Sequence, residues 1–209
     1  MYEIRTDLAL EAREKYEQDN IEIKGVRLDK EKMYEDIRIT TMVIETENGA
    51  RSMGRPKGNY ITIEAASMDD EDDRYHRMIS EQLARIIKRL APKGKQLSAL
   101  VVGLGNREVT SDSLGPKVAD HLFITRHMMR ESGDDVFGKK QKRVSAIVPG
   151  VMAQTGMESS EIIRGILRET QPDFVIAVDA LAARSTRRLN RTIQVTDTGI
   201  HPGSGVGNH

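Results

Sequence analysis

Two aspartates stand where packing alone does not account for a carboxylate. Asp179 ends the apolar run Val175-Ile176-Ala177-Val178, and burying a charge there is costly unless it is paired or in use. Asp112 lies in Thr110-Ser111-Asp112-Ser113, a short loop after the apolar run Ala99-Leu100-Val101-Val102-Gly103. Each also has a plain structural explanation, because Asp caps helices and turns; taken alone, Asp112 fits a cap and a catalyst equally well. Together the two imply a sharper chemistry. Two carboxylates a few ångströms apart cannot both ionise, so one can act as a base on water while the other, holding the shared proton, acts as the acid.

Other polar residues gather at the same kind of position. Asn106 and Ser111 accompany Asp112, Arg184 and Ser185 follow Asp179, and Asp197 and His201 fall in Thr196-Asp197-Thr198-Gly199-Ile200-His201. His201 with the two aspartates would make an imidazole-carboxylate metal site, a weaker alternative to a metal-free pair. Asp197-Thr198-Gly199 is the tripeptide of pepsin-like proteases, but those are all-β and the setting here is not. Gly103-Leu104-Gly105-Asn106-Arg107-Glu108 opens like a dinucleotide fingerprint, yet its sixth residue is Glu108 and no helix starts there, which argues against NAD.

Composition narrows the field further. The 209 residues suit one domain, or one domain with a small appendage. Lys plus Arg number 32 and so do Asp plus Glu, giving no net charge and no global field toward nucleic acid or membrane. Cys is absent, which removes disulfides, thiol nucleophiles and cysteine metal sites. Without a long apolar run or a leader-like N-terminus, a cytoplasmic location is expected. The ten Met residues fit gap-filling in a core short of aromatics.

The elements that must position these residues follow from periodicity. Residues 1–35 read as a short helix and a strand packed on something larger. Ile37 to Glu47 and Tyr60 to Glu64 read as a hairpin with a long connection, and Asn48-Gly49 as a turn. The acidic run Asp69-Asp70-Glu71-Asp72-Asp73 precedes a helix with Tyr75, Ile79, Leu83, Ile86, Ile87 and Leu90 on one face; it favours the positive helix end over a metal. Strands at 99–103, 143–148 and 173–178 alternate with a helix beginning near Pro116, with Val118, Leu122 and Met129 at helical spacing, and a helix at 159–170. A fourth strand spans 192–196. This order predicts an α/β fold with an open, largely parallel sheet, helices on both faces and a β-hairpin addition at about 37–65. In such sheets active sites collect at the carboxyl ends of the strands. The chain stops at Asn208-His209 inside a glycine-rich loop, so a fragment of a longer protein is expected.

Five ordered motifs now carry a resemblance: Arg5-Thr6-Asp7-Leu8-Ala9-Leu10-Glu11; Gly103-Leu104-Gly105-Asn106 through Thr110-Ser111-Asp112-Ser113-Leu114-Gly115-Pro116; Pro149-Gly150-Val151-Met152-Ala153-Gln154-Thr155-Gly156-Met157-Glu158; Val178-Asp179-Ala180-Leu181-Ala182-Ala183-Arg184-Ser185; and Thr196-Asp197-Thr198-Gly199-Ile200-His201-Pro202-Gly203-Ser204-Gly205-Val206-Gly207-Asn208. The sequence resembles the germination proteases of spore-forming Firmicutes. The resemblance implies an atypical aspartic endopeptidase with a fold similar to the hydrogenase maturation endopeptidases. Such an enzyme degrades the small acid-soluble proteins that coat spore DNA, in the spore core early in germination.

Carried over residue by residue, the catalytic pair would be Asp112 and Asp179; from their own places after the strands, Asn106, Ser111, Arg184, Asp197 and His201 are expected to support catalysis or bind substrate. A zymogen that processes itself would cut at Asp7-Leu8, separating a propeptide, residues 1–7, from a peptidase domain, residues 8–209. No cofactor or metal is expected; a metal-dependent maturation-type endopeptidase and a non-catalytic α/β peptide-binding module are the alternative readings. The expected partners are the spore proteins and further copies of the chain, with neither nucleic acid nor membrane engaged directly. From the residues alone, loop amides near Gly103 to Asn106 are candidates for stabilising an oxyanion, and the terminal segment around Asp7 is expected to be poorly ordered.

Overall fold

The computed structural model describes residues 6–18, 23–33, 36–70, 72–94, 97–128 and 142–200. Among these, two sheets share the work that the sequence pattern assigns to one. The first is antiparallel, in the order β1-β2-β3-β7, from β1 (Val26–Lys32), β2 (Ile37–Ile44), β3 (Gly58–Ala65) and β7 (Thr192–Thr196). The second is parallel, in the order β5-β4-β6, from β4 (Ser98–Gly103), β5 (Arg143–Ile147) and β6 (Phe174–Val178).

The hairpin is present as β2 and β3, with Ile39 opposite Ile63 and Met42 opposite Tyr60. Its β-branched residues on both faces have a packing reason. Ile37, Ile39, Ile61 and Ile63 bury one face against Ile79 and Ile86 of helix α3 (Asp73–Leu90), while Met42, Ile44 and Tyr60 bury the other with Ala9 of helix α1 (Ala9–Gln18) and Met53 of helix α2 (Glu47–Met53). The expected turn at Asn48-Gly49 is instead part of α2. Thr46 precedes it and accepts the Gly49 N–H at 3.0 Å, which caps the helix, and Gly54 closes it at a φ of 60°, where glycine has no Cβ to clash. At the start of α3 the acidic run does what helix electrostatics predicts: Asp72 accepts the N–H groups of Arg74 and Tyr75.

The strand at 192–196 corrects the expected topology. Only a short 3-10 turn, Thr186–Arg188, lies between β6 and β7, and without a crossover helix the chain cannot rejoin a parallel sheet by the usual route. It joins the antiparallel sheet, where Val195 and Ile193 fall opposite Ile61 and Ile63 and extend their apolar face. The parallel sheet has Leu100, Val102 and Leu104 against Ile163, Ile166 and Leu167 of helix α5 (Ser159–Thr170).

Helix α4 (Leu114–Asp120) is shorter than the pattern through Leu122 and Met129 predicts. Thr125 draws the following segment toward β5, its N–H on the Val144 carbonyl and its hydroxyl on that of Lys142; Met129 lies outside the described residues. Two glycines let α4 meet the strand ends backbone to backbone. A Cβ at Gly115 would sit 2.2 Å from the Leu104 oxygen and 2.5 Å from that of Val178, and one at Gly103 would sit 2.3 Å from the Gly115 oxygen. That approach brings the loop carrying Asp112 to the strand end carrying Asp179.

Candidate active site

Asp112 closes a 3-10 turn, Thr110–Asp112, ahead of α4. The residue at the helix start, Ser113, makes no side-chain cap, and the Asp112 carboxylate turns back to accept the Asn106 N–H at 2.7 Å. Gly105, at a φ of 110°, permits this fold-back, since a Cβ there would lie 2.0 Å from the Asp112 carbonyl oxygen. Gly105, the second glycine of the run that opens like a dinucleotide fingerprint, thus serves a tight turn onto a carboxylate. Asn106 is itself held, its Oδ1 accepting from the Glu108 N–H and from Gln154 Nε2.

Asp179 follows β6, the neighbour of β4. Burial pushes its carboxyl above the ordinary aspartate range, and the negative charges of Asp112 and Asp7 push in the same direction against the Ala180 N–H, which favours the ion. The Asp112 charge is thus among those that Asp179 feels. Two amides near Gly103 to Asn106 have other duties: Leu104 donates to the Val178 carbonyl and Asn106 to Asp112. Those two do not serve an oxyanion.

Asp7 belongs to the same neighbourhood. Its N–H donates to the Ala182 carbonyl at 2.9 Å, and its Oδ2 accepts the Ala182 N–H at 2.8 Å. Arg55 Nη2 donates to the Thr6 carbonyl, and Gln194 contacts the Asp7 carbonyl and the Ala9 N–H. The expectation of a poorly ordered terminal segment fails from Thr6 onward. Leu8 and Glu11 are fully buried, with Ala9 at 1% exposure, because apolar side chains and a carboxylate anchor α1 from its first turn.

That anchor also engages Arg184. Its N–H and that of Ser185 donate to Glu11 at 2.7 and 3.0 Å, and its guanidinium lies 3.5 Å from the Glu11 carbonyl. Arg188 adds a contact of 3.4 Å to Glu11 while also bonding Glu14 and Glu64. Arg184 is thus held by the N-terminal helix in this state. Ser111 is exposed on the turn beside Asp112. Asp197 accepts from Asn59 with both carboxylate oxygens. It borders a basin of 570 Å³ whose lining, including Arg27, Asp29 and Thr41, contains neither Asp112 nor Asp179. His201 lies outside the described residues.

Glu11, Gln154, Arg188 and Gln194 escaped the sequence analysis. Glu11 and Gln154 fall inside quoted motifs, but nothing in their spacing marks the distant partners that the fold gives them.

Fold and site together define a class: an α/β protein with two carboxylates in loops at the carboxyl ends of neighbouring parallel strands, suited to acid–base activation of water. The germination protease family model matches residues 3–209, and the chain belongs to that family. It is 48% identical over 205 residues to the germination protease of Caldanaerobacter subterraneus subsp. tengcongensis, covering 98% of this chain and 62% of that protein. The Priestia megaterium germination protease is 47% identical over 220 residues, with 99% and 58% covered. One from Clostridium perfringens is 43% identical over 210 residues, with 100% and 64% covered. The chain thus spans about three-fifths of the length of these relatives.

Proposed function

We propose that this chain carries the catalytic residues of a germination endopeptidase that cuts peptide bonds with the Asp112/Asp179 pair. Its substrates are the small acid-soluble, DNA-binding proteins of the spore core. It is made as a zymogen that cuts its own Asp7–Leu8 bond, and its parallel sheet is akin to that of the hydrogenase maturation endopeptidases. The observation that carries the proposal is the docking of Asp7 on the loop after Asp179, whose proton affinity is raised by burial and by Asp112.

In this scheme Asp179 holds the shared proton and Asp112 is the base. Water attacks the Asp7 carbonyl carbon as Asp112 takes a proton from it and Asp179 gives its proton to the carbonyl oxygen. On collapse the carbon–nitrogen bond breaks, Asp112 returns its proton to the Leu8 nitrogen, and Asp179 recovers one from the hydroxyl that reverts to a carbonyl. One water is consumed, an acid and an amine are formed, and the pair again holds one proton.

Mass spectrometry of the intact chain, held at neutral and mildly acidic pH, tests the proposal. Wild type should acquire an N-terminus at Leu8, faster in mild acid because the pair must keep its proton, and Asp112→Asn and Asp179→Asn should not. Incubation with a small acid-soluble spore protein should give the same order of activity. Processing that persists in either Asn variant would assign the cut to another protease and refute the pair.

A further inference from the structure

One side chain grips the Asp7–Leu8 peptide unit from both ends, and the scheme above leaves it unused. Gln194 sits within β7 opposite Thr62 of β3. Its Nε2 donates to the Asp7 carbonyl at 3.2 Å and its Oε1 accepts the Ala9 N–H at 2.8 Å. These two backbone groups flank the bond between Asp7 and Leu8, and one of them is that bond's own carbonyl. A carboxamide presents donor and acceptor side by side, so Gln194 holds the segment much as a neighbouring strand would, without reading any side chain. Leu8, between the two contacts, is fully buried, which fixes the bracketed unit in place.

A carbonyl that becomes tetrahedral gathers negative charge on its oxygen, and a donor already aimed at that oxygen lowers the barrier without reorganising. The loop amides of Leu104 and Asn106 are committed elsewhere, and that of Ala182 is on the Asp7 side chain. Gln194 Nε2 already lies on the Asp7 oxygen. A carbonyl oxygen has two lone pairs, so this contact leaves the second free to receive the proton of the carboxylate pair.

We propose that Gln194 is a third catalytic side chain, which brackets the bond to be cut through Asp7 O and Ala9 N and stabilises the charge that develops on the carbonyl oxygen. The inference rests on Asp7–Leu8 being the processed bond. It also implies that the enzyme grips the peptide backbone on both sides of the bond, so that this subsite tolerates sequence variation.

Two substitutions in the full chain separate docking from catalysis. Gln194→Glu keeps an acceptor for the Ala9 N–H but removes the donor; self-processing should fall by about 100- to 1000-fold, the loss typical of removing one oxyanion donor. Gln194→Leu removes both contacts. In an Asp179→Asn background, which cannot cut, it should speed hydrogen exchange at the Ala9 amide at least tenfold, whereas Gln194→Glu should not. Thermal melts establish that each variant is folded.

Processing of Gln194→Glu within threefold of wild type would overturn the catalytic role, and unchanged Ala9 exchange in Gln194→Leu would overturn the bracket. If wild type never produces Leu8 at its N-terminus, the processing proposal fails and takes the catalytic role with it, while the exchange measurement still decides whether the bracket exists.

Discussion

Removing the Glu11 carboxylate should cost more stability than any surface charge in this chain. Glu11 is fully buried on α1 and accepts the Arg184 and Ser185 N–H groups at 2.7 and 3.0 Å, with Arg188 at 3.4 Å. In Glu11→Ala two backbone donors lose a charged acceptor at a buried site, and each orphaned group costs about 1–3 kcal/mol. Arg188 is less affected, because it keeps Glu14 at 2.6 Å and Glu64 at 2.8 Å. The loss should therefore be about 3 kcal/mol, near the lower end of the roughly 3–5 kcal/mol seen when a buried pair is broken. Glu11→Gln retains one oxygen and should lose about 2 kcal/mol.

Urea denaturation is the assay. With a slope of about 1–3 kcal/mol/M, Glu11→Ala should lower the midpoint by at least about 1 M with the slope unchanged. The pH dependence adds a check. Burial raises the Glu11 pKa, but the bonds from Thr6, Ser185, Arg184 and Arg188 outweigh it and hold the carboxyl below its ordinary value of 4.5. A lowered folded-state pKa means that this stabilisation is complete above 4.5 and lost as pH falls through the folded value, so wild type and Glu11→Gln should converge in strong acid. A midpoint shift below about 0.3 M for Glu11→Ala at neutral pH, an energy of less than about 1 kcal/mol on that slope, would refute the assignment of Glu11 as the anchor of the loop after Asp179.

Three further outcomes follow from the same geometry. The Asp179 pKa is raised by burial and by Asp112 and Asp7, so its ionisation opposes folding; Asp179→Asn should melt higher than wild type at neutral pH, with the advantage fading as pH falls toward the ordinary aspartate value, and a lower melting point at neutral pH would contradict this. Gly115→Ala would place a Cβ 2.2 Å from Leu104 O; the strain should cost roughly 3 kcal/mol or more and stop self-processing, and a urea midpoint equal to wild type would show that the α4 contact is not tight. Self-processing should persist in excess chelator, and loss of activity restored by a divalent ion would replace the carboxylate pair with a metal mechanism.

The local pattern of the sequence determines much of this protein. The β-branched runs of β2 and β3, the amphipathic face of α3, the acidic run at its start and the apolar strands at 99–103, 143–148 and 173–178 are all legible because side-chain period and capping act over a few residues. Asp112 and Asp179 stand out for the same reason, as carboxylates that follow apolar strands. Tertiary structure decides what depends on residues far apart in the chain. The strand at 192–196 pairs with β3 rather than extending the parallel sheet, since pairing partners are chosen by register and by the length and form of the connection, neither of which periodicity reports. Glu11 reads as a solvated helix charge until Arg184 and Ser185, more than 170 positions away, supply the donors that make its burial tolerable. Gln194 reads as a polar strand residue until the N-terminal segment lies across it. Whether a polar side chain is solvent-facing or working is set by what the fold brings to it, and for Asp7, Glu11 and Gln194 that partner lies at the opposite end of the chain.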